Sequence, residues 1–220
     1  MTPNSEPVSA QSTVPTVFVV DDDPGIRDSV TWLFQSVGLT VETYGSAQQF
    51  LDTYVTTRPG CLILDVRLPG MGGLDLLEAL RRRGATLPVI VVTAYGEVHS
   101  AVRAMKGGAI DVMEKPVADQ VLLDRVYQAI ELDRQTRLDN AKRHAAAALF
   151  ARLSRREREV LTLVTAGKPN KVIAAELGVS AKTVESYRAA VMRKLGVHSV
   201  PELMRLEFLV QSDRSAPSDG

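Results

Sequence analysis

The stretches that decide the fold are CLILD (residues 61–65) and PVIVVT (residues 88–93), two apolar runs that each end in a side chain with an oxygen. Two further runs end on polar residues, because VFVVDDD (residues 17–23) stops on three aspartates and AIDVMEKP (residues 109–116) carries a lysine. Short continuous apolar runs are typical of strands buried on both faces, and therefore of a parallel sheet between helices. Ligands of such sheets bind outside the carboxyl ends of the strands, so we expect these polar residues to share one edge.

The charge of the chain is divided unequally along its 220 residues, although the total is zero. Residues 1–117 carry 9 basic and 13 acidic side chains, whereas residues 150–214 carry 12 basic and 7 acidic ones. An acidic half joined to a basic half predicts a polyanionic partner for the second half only. The length suits one large domain or two ordinary ones.

Composition also excludes several classes of protein. The single cysteine, Cys61, rules out an internal disulfide, and its place in an apolar run indicates a small core residue. No apolar run is long enough to span a membrane. Residues 1–15 lack the basic and apolar regions of a signal peptide, and their Pro, Ser and Thr content predicts a disordered tail. We therefore expect a cytoplasmic protein with no membrane partner.

Helix and turn signals alternate with the strands over residues 16–132. This alternation predicts a doubly wound α/β domain with a five-stranded parallel sheet. The expected strands are Val17–Asp21, Leu39–Tyr44, Cys61–Asp65, Val89–Thr93 and Ala109–Met113. The expected helices between them run from Pro24 to Gly38, from Ser46 to about Thr56, from Leu74 to Arg83 and from Val98 to Lys106.

Fifty residues without glycine or proline follow Pro116. Their apolar stripe fades after Leu132, so we expect the first part to pack on the sheet and residues 133–150 to form a solvated helical linker. A dimeric coiled coil is the alternative for this segment, although its apolar repeat is not sustained.

Four short helices are expected in residues 151–211, before a polar tail at residues 212–220 that we expect to be disordered. Ser154 and Glu157 form a capping-box pattern, Asn170 and Ser180 are expected caps, and the pattern recurs at Ser199. The second helix, a glycine turn and the third helix, Ala181–Leu195, predict a helix-turn-helix.

The four strand ends bring together groups that suit phosphoryl chemistry. Paired carboxylates repel one another, and a hard cation such as Mg²⁺ compensates this charge through oxygen ligands. Asp65 is then a candidate nucleophile toward a phosphoryl donor. The Lys115 ammonium and the Thr93 hydroxyl are candidate partners for the oxygens of the transferred group.

The third helix of the second half has one face suited to DNA. At 100° per residue, Val184, Tyr187, Val191 and Leu195 fall on the inward face. Because recognition helices read bases through their N-terminal part, Glu185, Ser186 and Ala189 are the expected base contacts, and Lys182 suits base or phosphate. Expected phosphate contacts are Lys171, Thr183 and Arg188, with Arg193 and Lys194 as weaker candidates.

Taken together, these motifs resemble a known family. VVDDD, LILDVRLPGMGG, VVTAYG and MEKP are similar to the receiver-domain signature of bacterial two-component response regulators. The segment beginning LSRREREVLTLV is similar to the LuxR-type output domain, and the combination resembles the FixJ subgroup. The resemblance implies a CheY-like receiver and a transcriptional regulator, not a turnover enzyme.

The resemblance also implies roles for individual residues. Asp65 would accept a phosphoryl group from a sensor histidine kinase, and Thr93 and Lys115 would be the switch pair. Asp22 and Asp65 would bind Mg²⁺ directly, with the Arg67 carbonyl as a backbone ligand and Asp21 acting through water. Asp23 is expected only to cap the next helix.

One position departs from the family pattern. Receivers usually carry Tyr or Phe three residues before the switch lysine, but this chain has Val112. A valine cannot report phosphorylation by a ring flip, so movement of the Thr93–Val98 loop is the remaining candidate. Tyr95, in that loop, is a hypothetical cover that slows water attack on the phospho-aspartate.

The expected partners are a sensor histidine kinase, double-stranded DNA, a second copy of the chain on phosphorylation and RNA polymerase. The expected dimer surfaces are the last helix (Leu203, Leu206 and Leu209) and the receiver face formed by its fourth helix, fifth strand and fifth helix. Two alternatives stay open. One is a haloacid-dehalogenase-like phosphatase, which would show steady turnover, and the other is a DNA-binding regulator controlled by protein contacts instead of phosphate.

Overall fold

The structure is a computed structural model that describes residues 14–93 and 98–211. Apart from residues 14 and 15, both expected tails lie outside the described residues. In chain order the elements are β1 (Thr16–Val20), α1 (Pro24–Ser36), β2 (Thr40–Tyr44), α2 (Ala47–Thr53), β3 (Gly60–Asp65), α3 (Gly73–Arg82), β4 (Val89–Thr93), α4 (Val98–Lys106), β5 (Asp111–Glu114), α5 (Asp119–Ala151), α6 (Arg155–Thr165), α7 (Asn170–Leu177), α8 (Ala181–Leu195) and α9 (Val200–Gln211).

The first unit is built on a five-stranded parallel sheet with the order β2-β1-β3-β4-β5. Successive side chains of a strand point to opposite faces, so β1 and β3 feed two cores. Val17, Val19 and Ile63 pack beneath α1 and α5, and Phe18 and Leu62 pack beneath α2 and α3. The strand order reverses between β1 and β3, which opens a crevice at their carboxyl ends.

Most predicted elements differ from the structure by a residue or two at their ends, and the differences at α2 and β5 have a clear physical cause. The helix expected to reach Thr56 ends at Thr53, because Tyr54 adopts an extended backbone and its buried ring stacks on Phe50. The last strand begins at Asp111 instead of Ala109. The amide of Ala109 donates to the Ala104 carbonyl and so completes the end of α4.

The described chain divides into two compact units between Arg137 and Leu138. The expected boundary lay five residues earlier, at the start of a solvated linker. The expectation of solvent exposure is wrong for Asp133, whose side chain is buried against the first unit. Helix α5 continues without interruption to Ala151, so the helical character of residues 133–150 agrees with the expectation.

The second unit packs α6 to α9 and the end of α5 around one apolar core. The capping box of Ser154 and Glu157 and the Ser180 cap form as predicted, and Gly178 and Gly196 end α7 and α8 with left-handed backbones. The predicted Asn170 cap is wrong. Asn170 lies inside α7, and its side-chain oxygen accepts a hydrogen bond from Arg188 instead.

Candidate functional site

Three carboxylates meet at the carboxyl ends of β1 and β3. Asp21 and Asp65 are buried, Asp22 is exposed, and one oxygen from each lies within 4.8 Å of the others. Thr93 is buried at the end of the neighbouring strand β4. The parallel sheet therefore brings together the acidic residues that the sequence assigned to one edge.

Lys115 lies between the two buried carboxylates. Its Nζ is 2.7 Å from Asp65 Oδ2 and 2.9 Å from Asp21 Oδ2. Burial alone would lower the pKa of the Lys115 ammonium, but its bonds to both carboxylates outweigh that effect and its pKa is raised. The backbone amide of Lys115 also donates to the Thr93 carbonyl, which ties the lysine to the end of β4. A cation is thus held at the point where negative charge accumulates.

Backbone amides fix the carboxylates from the other side. The Asp23 amide donates to Asp21 Oδ1, and the Arg67 amide donates to Asp65 Oδ1. Asp23 itself caps α1 by accepting from the amides of Gly25 and Ile26, as the sequence predicted. Each buried aspartate is therefore oriented by one amide and one ammonium, with little freedom to rotate.

Helix α3 begins directly against the Asp65 backbone. A Cβ atom on Gly73 would lie only 2.0 Å from the Asp65 carbonyl oxygen, so any larger residue would displace one of the two segments. The amide of Gly73 donates to the Val66 carbonyl. Gly73 is therefore required because the start of α3 approaches the Asp65 backbone so closely. The sequence alone does not reveal this contact.

Arg27 is a residue of this site that the sequence motifs did not predict. Its guanidinium donates to the backbone carbonyl of Asp21 at 2.7 Å and lies beside Gly45, at the end of the neighbouring strand β2. This places a second cation next to the acidic pair and fixes the loop that carries it. The only sequence signal is an arginine in the first turn of the helix after three aspartates.

The structure describes Val112, the position that departs from the family pattern, but not Tyr95. Val112 is half-buried, packs against the core between the sheet, α2 and α3, and lies opposite Val91 of β4. Tyr95 lies outside the described residues, so its covering role stays a hypothesis. Without a ring at Val112, a coupling between Thr93 and an inward-turning aromatic is not available at that position.

An open cleft of about 520 Å³ borders the acidic cluster between α1 and α5. Most of the residues that line it are apolar, among them Ile26, Val30 and Leu122, and its polar lining includes Asp65 and Lys115. The arrangement leaves the cluster reachable from a surface that suits an apolar partner.

Helix α8 presents two distinct faces in the second unit. Val184, Val191 and Leu195 are buried and Tyr187 is half-buried, as the periodicity predicted. The opposite face is exposed and carries Lys182, Glu185, Ser186, Ala189 and Arg193. The exposed Lys171 lies in the first turn of α7, and Thr183 is half-buried with its hydroxyl 2.8 Å from Ser180 Oγ.

Two polar ties hold α8 against its neighbours. Arg188 donates to Asn170 Oδ1 at 2.6 Å, which links α8 to α7. Lys194 Nζ lies 2.7 Å from an oxygen of the buried Glu157 and links α8 to the start of α6. Hydrogen bonds from Lys194 and the Ser154 amide hold the pKa of Glu157 below its usual range. Lys194 is therefore engaged in an ion pair within the domain.

The last helix, α9, was expected to form a dimer surface with three leucines, and the structure exposes only one of them. Leu203 is buried and Leu206 packs against the core, so these two leucines do not form an open dimer surface. The exposed apolar residues of α9 are Met204, Phe208 and Leu209. Leu209 is thus the one member of the expected set that lies on the surface.

Among the described residues, none of the helices combines the length and apolar character that a membrane span requires.

Comparisons with known proteins assign a family to each half of the chain. Residues 17–127 match the response regulator receiver domain, and residues 151–206 match the bacterial regulatory proteins of the luxR family. Transcriptional regulatory protein FixJ of Azorhizobium caulinodans is 44% identical over 193 residues, which cover 88% of this chain and 92% of that protein. Nodulation protein W of Bradyrhizobium diazoefficiens is 47% identical over 89% of this chain and 86% of that protein.

Solved structures agree with this assignment. The response regulator StyR matches with a TM-score of 0.80 and 40% identity, and the match covers 89% of this chain and 99% of that one. Full-length FixJ from B. japonicum matches with a TM-score of 0.56 and 37% identity, covering 92% of this chain and 99% of that one. Receiver domains bind Mg²⁺ at an acidic pocket of this kind, and the carboxylate cluster fits it. The chain belongs to the response regulators, with a receiver domain followed by a LuxR-type DNA-binding domain, and it regulates transcription in response to phosphorylation.

Proposed function

We propose that Asp65 is the phosphoacceptor and that its phosphorylation controls the binding of α8 to promoter DNA. The observation that carries this proposal is the position of Lys115 Nζ, within 3 Å of both Asp65 and Asp21. A carboxylate oxygen of Asp65 attacks the phosphorus of a phosphohistidine, the phosphorus–nitrogen bond breaks, and an aspartyl phosphate forms.

The residues around Asp65 each contribute to this transfer. Lys115 pairs with a phosphoryl oxygen as negative charge spreads over the transferring group, and the Thr93 hydroxyl donates to another. Asp22, Asp65 and the Arg67 carbonyl would hold Mg²⁺, with Asp21 acting through water. The metal ion would supply a second positive charge for the phosphoryl oxygens. Arg27 keeps the loop of the acidic pair in place through the Asp21 carbonyl.

The donor and the partners follow from the two domains. A receiver implies a sensor kinase as the source of the phosphoryl group, and a DNA-binding output domain implies action in the cytoplasm. The apolar cleft between α1 and α5 borders Asp65 and supports approach of the kinase from that side. Contact with RNA polymerase at the promoter would complete the regulatory role.

Base reading is proposed for the exposed face of α8. Glu185 suits a cytosine amino group and Ala189 a thymine methyl, with Ser186 between them. Lys182 at the start of the face reaches either a base or a phosphate, and Lys171 and Thr183 reach phosphates. The support for this assignment is that the base-reading set is exposed, whereas the opposite face is in the core.

A dimer on two half-sites would give this small domain its specificity. Exposed apolar residues support two surfaces for it. Met204 and Phe208 lie on α9, and Val98, Val102 and Met105 lie at helical spacing on α4 of the receiver. Phosphorylation would favour the dimer through the receiver surface.

The test is DNA binding by the purified full chain with and without a small-molecule phosphodonor and Mg²⁺. Salt must be fixed because phosphate contacts make affinity fall steeply with ionic strength. We expect the phosphodonor to lower the Kd for promoter DNA and to shift the protein from monomer to dimer in sedimentation. An unchanged Kd in a chain that does take up phosphate would overturn the proposal.

Arg188 provides a separate prediction about the DNA interface. Its guanidinium carries five N–H donors, and the bond to Asn170 uses one of them. If Arg188 also contacts a phosphate, Arg188→Ala will weaken binding and reduce the slope of log K against log salt by about 0.9. Asn170→Ala removes only the tie within the domain, so it should weaken binding with the slope unchanged. Equal slopes in both variants would make Arg188 a positioning residue alone.

A further inference from the structure

Asp133 is a buried carboxylate in a segment whose composition predicts a solvated linker. It lies on α5, about one turn beyond Ala129, which is buried in the core beneath the sheet, and its side chain is only 2% exposed. One of its oxygens, Oδ2, accepts from the Gly60 amide at 2.9 Å and from Arg137 Nε at 2.7 Å. A carboxylate is buried in this way only when specific donors compensate the loss of water.

Arg137, one turn further along α5, completes the contact. Its NH1 donates to the Thr57 carbonyl at 2.9 Å, and its NH2 donates to the Arg58 carbonyl and, at 3.5 Å, to the Thr56 carbonyl. The planar guanidinium thus joins the helix to three consecutive carbonyls before β3. We call Asp133 and Arg137, with their bonds to residues 56–60, the helix clamp.

The clamp is unlike the other ion pairs of the same helix segment. Arg134 and Glu131 also pair through two bonds, but their side chains are 59% and 62% exposed and they belong to the same turn. Exposed pairs of that kind contribute little to stability or geometry. Arg137 and Asp133 are 26% and 2% exposed, and their further partners lie more than 70 residues away in the chain.

The position of the clamp in the sheet gives it a mechanical role. Gly60 begins β3, so the clamp holds α5 at the amino edge of the strands, whereas Asp65 ends the same strand at the carboxyl edge. Helix α5 begins four residues after Lys115, which bonds to Asp65. Between the two edges, Leu122, Val126 and Ala129 are buried in the core. The helix is therefore attached to the receiver at both ends of one central strand.

We propose that Asp133 and Arg137 are positioning residues that couple the receiver to DNA binding, because they fix the point at which α5 leaves the receiver. The inference rests on the proposed control of DNA binding by Asp65. Phosphorylation would displace Lys115 and the start of α5. This displacement passes along α5 to the turn that Asp133 and Arg137 hold against the receiver. Without the clamp, the last turns of that segment detach and the displacement is lost before Leu138.

The test compares Arg137→Ala and Arg137→Lys with the matched control Arg134→Ala in the full chain. For each protein we would measure phosphate uptake from acetyl phosphate with Mg²⁺, and Kd for promoter DNA before and after that treatment. We expect Arg137→Ala to take up phosphate and to bind DNA like the untreated native chain, but to lose the phosphate-dependent fall in Kd. Arg137→Lys keeps the positive charge but loses the planar guanidinium that donates to several carbonyls, so it should lose most of that response.

The other outcomes each count against the clamp. If both Arg137 variants keep the native response, the contact has no part in coupling. If both variants lose phosphate uptake itself, the contact serves receiver folding and the coupling role is overturned. If the native chain and Arg134→Ala take up phosphate without any change in Kd, the proposed function fails as well. Failure of the proposed function is therefore read from the native chain and Arg134→Ala alone, whatever the Arg137 variants do.

Discussion

Replacing Asp65 with asparagine is expected to abolish phosphate uptake and, with it, the response of DNA binding to a phosphodonor. The amide of asparagine has no carboxylate oxygen to attack phosphorus, and Asp21 and Asp22 cannot replace it, because they end a different strand. The change is nearly isosteric, and Lys115 keeps its bond to Asp21. Intact-mass measurement should show one phosphate per native chain and none on Asp65→Asn.

The matched control for this prediction is Asp52→Asn, an exposed aspartate of α2 that accepts a bond from Gln48. It should take up phosphate and respond in DNA binding like the native chain. If Asp65→Asn still takes up phosphate, another residue is the phosphoacceptor. Steady release of phosphate from a phosphate ester by the native chain would instead favour the phosphatase alternative, since a phosphoacceptor retains its single phosphate until it hydrolyses.

The sheet and its polar edge could be predicted because each is a local property of the sequence. Apolar runs such as CLILD identify strands through their length and lack of alternation, and the position of Asp65 at the end of one follows at once. The same holds for the two faces of α8, since a period of 100° per residue separates Val184 from Glu185 without knowledge of the rest of the fold.

The contacts that could not be predicted are those between distant segments. Asp133 lies in a charged stretch, and its burial depends on carbonyls and an amide at residues 56–60, which no periodicity connects to it. The same reason accounts for Asn170, whose type favours a cap but whose oxygen accepts from Arg188 instead. A cap pattern describes local competition for amides, and a long-range donor changes its outcome.

Gly60→Ala is expected to destabilise the receiver by more than about 3 kcal/mol, because a positive φ and a steric clash act at the same residue. Gly60 has φ 144°, where side chains are strained, and a Cβ atom would lie 1.8 Å from the Thr16 carbonyl oxygen. Neither β1 nor β3 can move away, since both are central strands with buried faces. Hydrogen exchange on the full chain should show faster exchange in β1 and β3, with α6 to α8 unchanged.

Gly84→Ala separates the two causes of this effect. Gly84 also has a positive φ, 69°, but no atom lies within 4 Å of the position that a Cβ would take. Its substitution should therefore cost about 1 kcal/mol, the price of a left-handed backbone alone. Equal costs at the two glycines would mean that β1 and β3 do not approach as closely as described. A larger cost at Gly60 also bears on regulation, because the amide of that residue is the one that binds Asp133, and a displaced amide would weaken the helix clamp at its buried end.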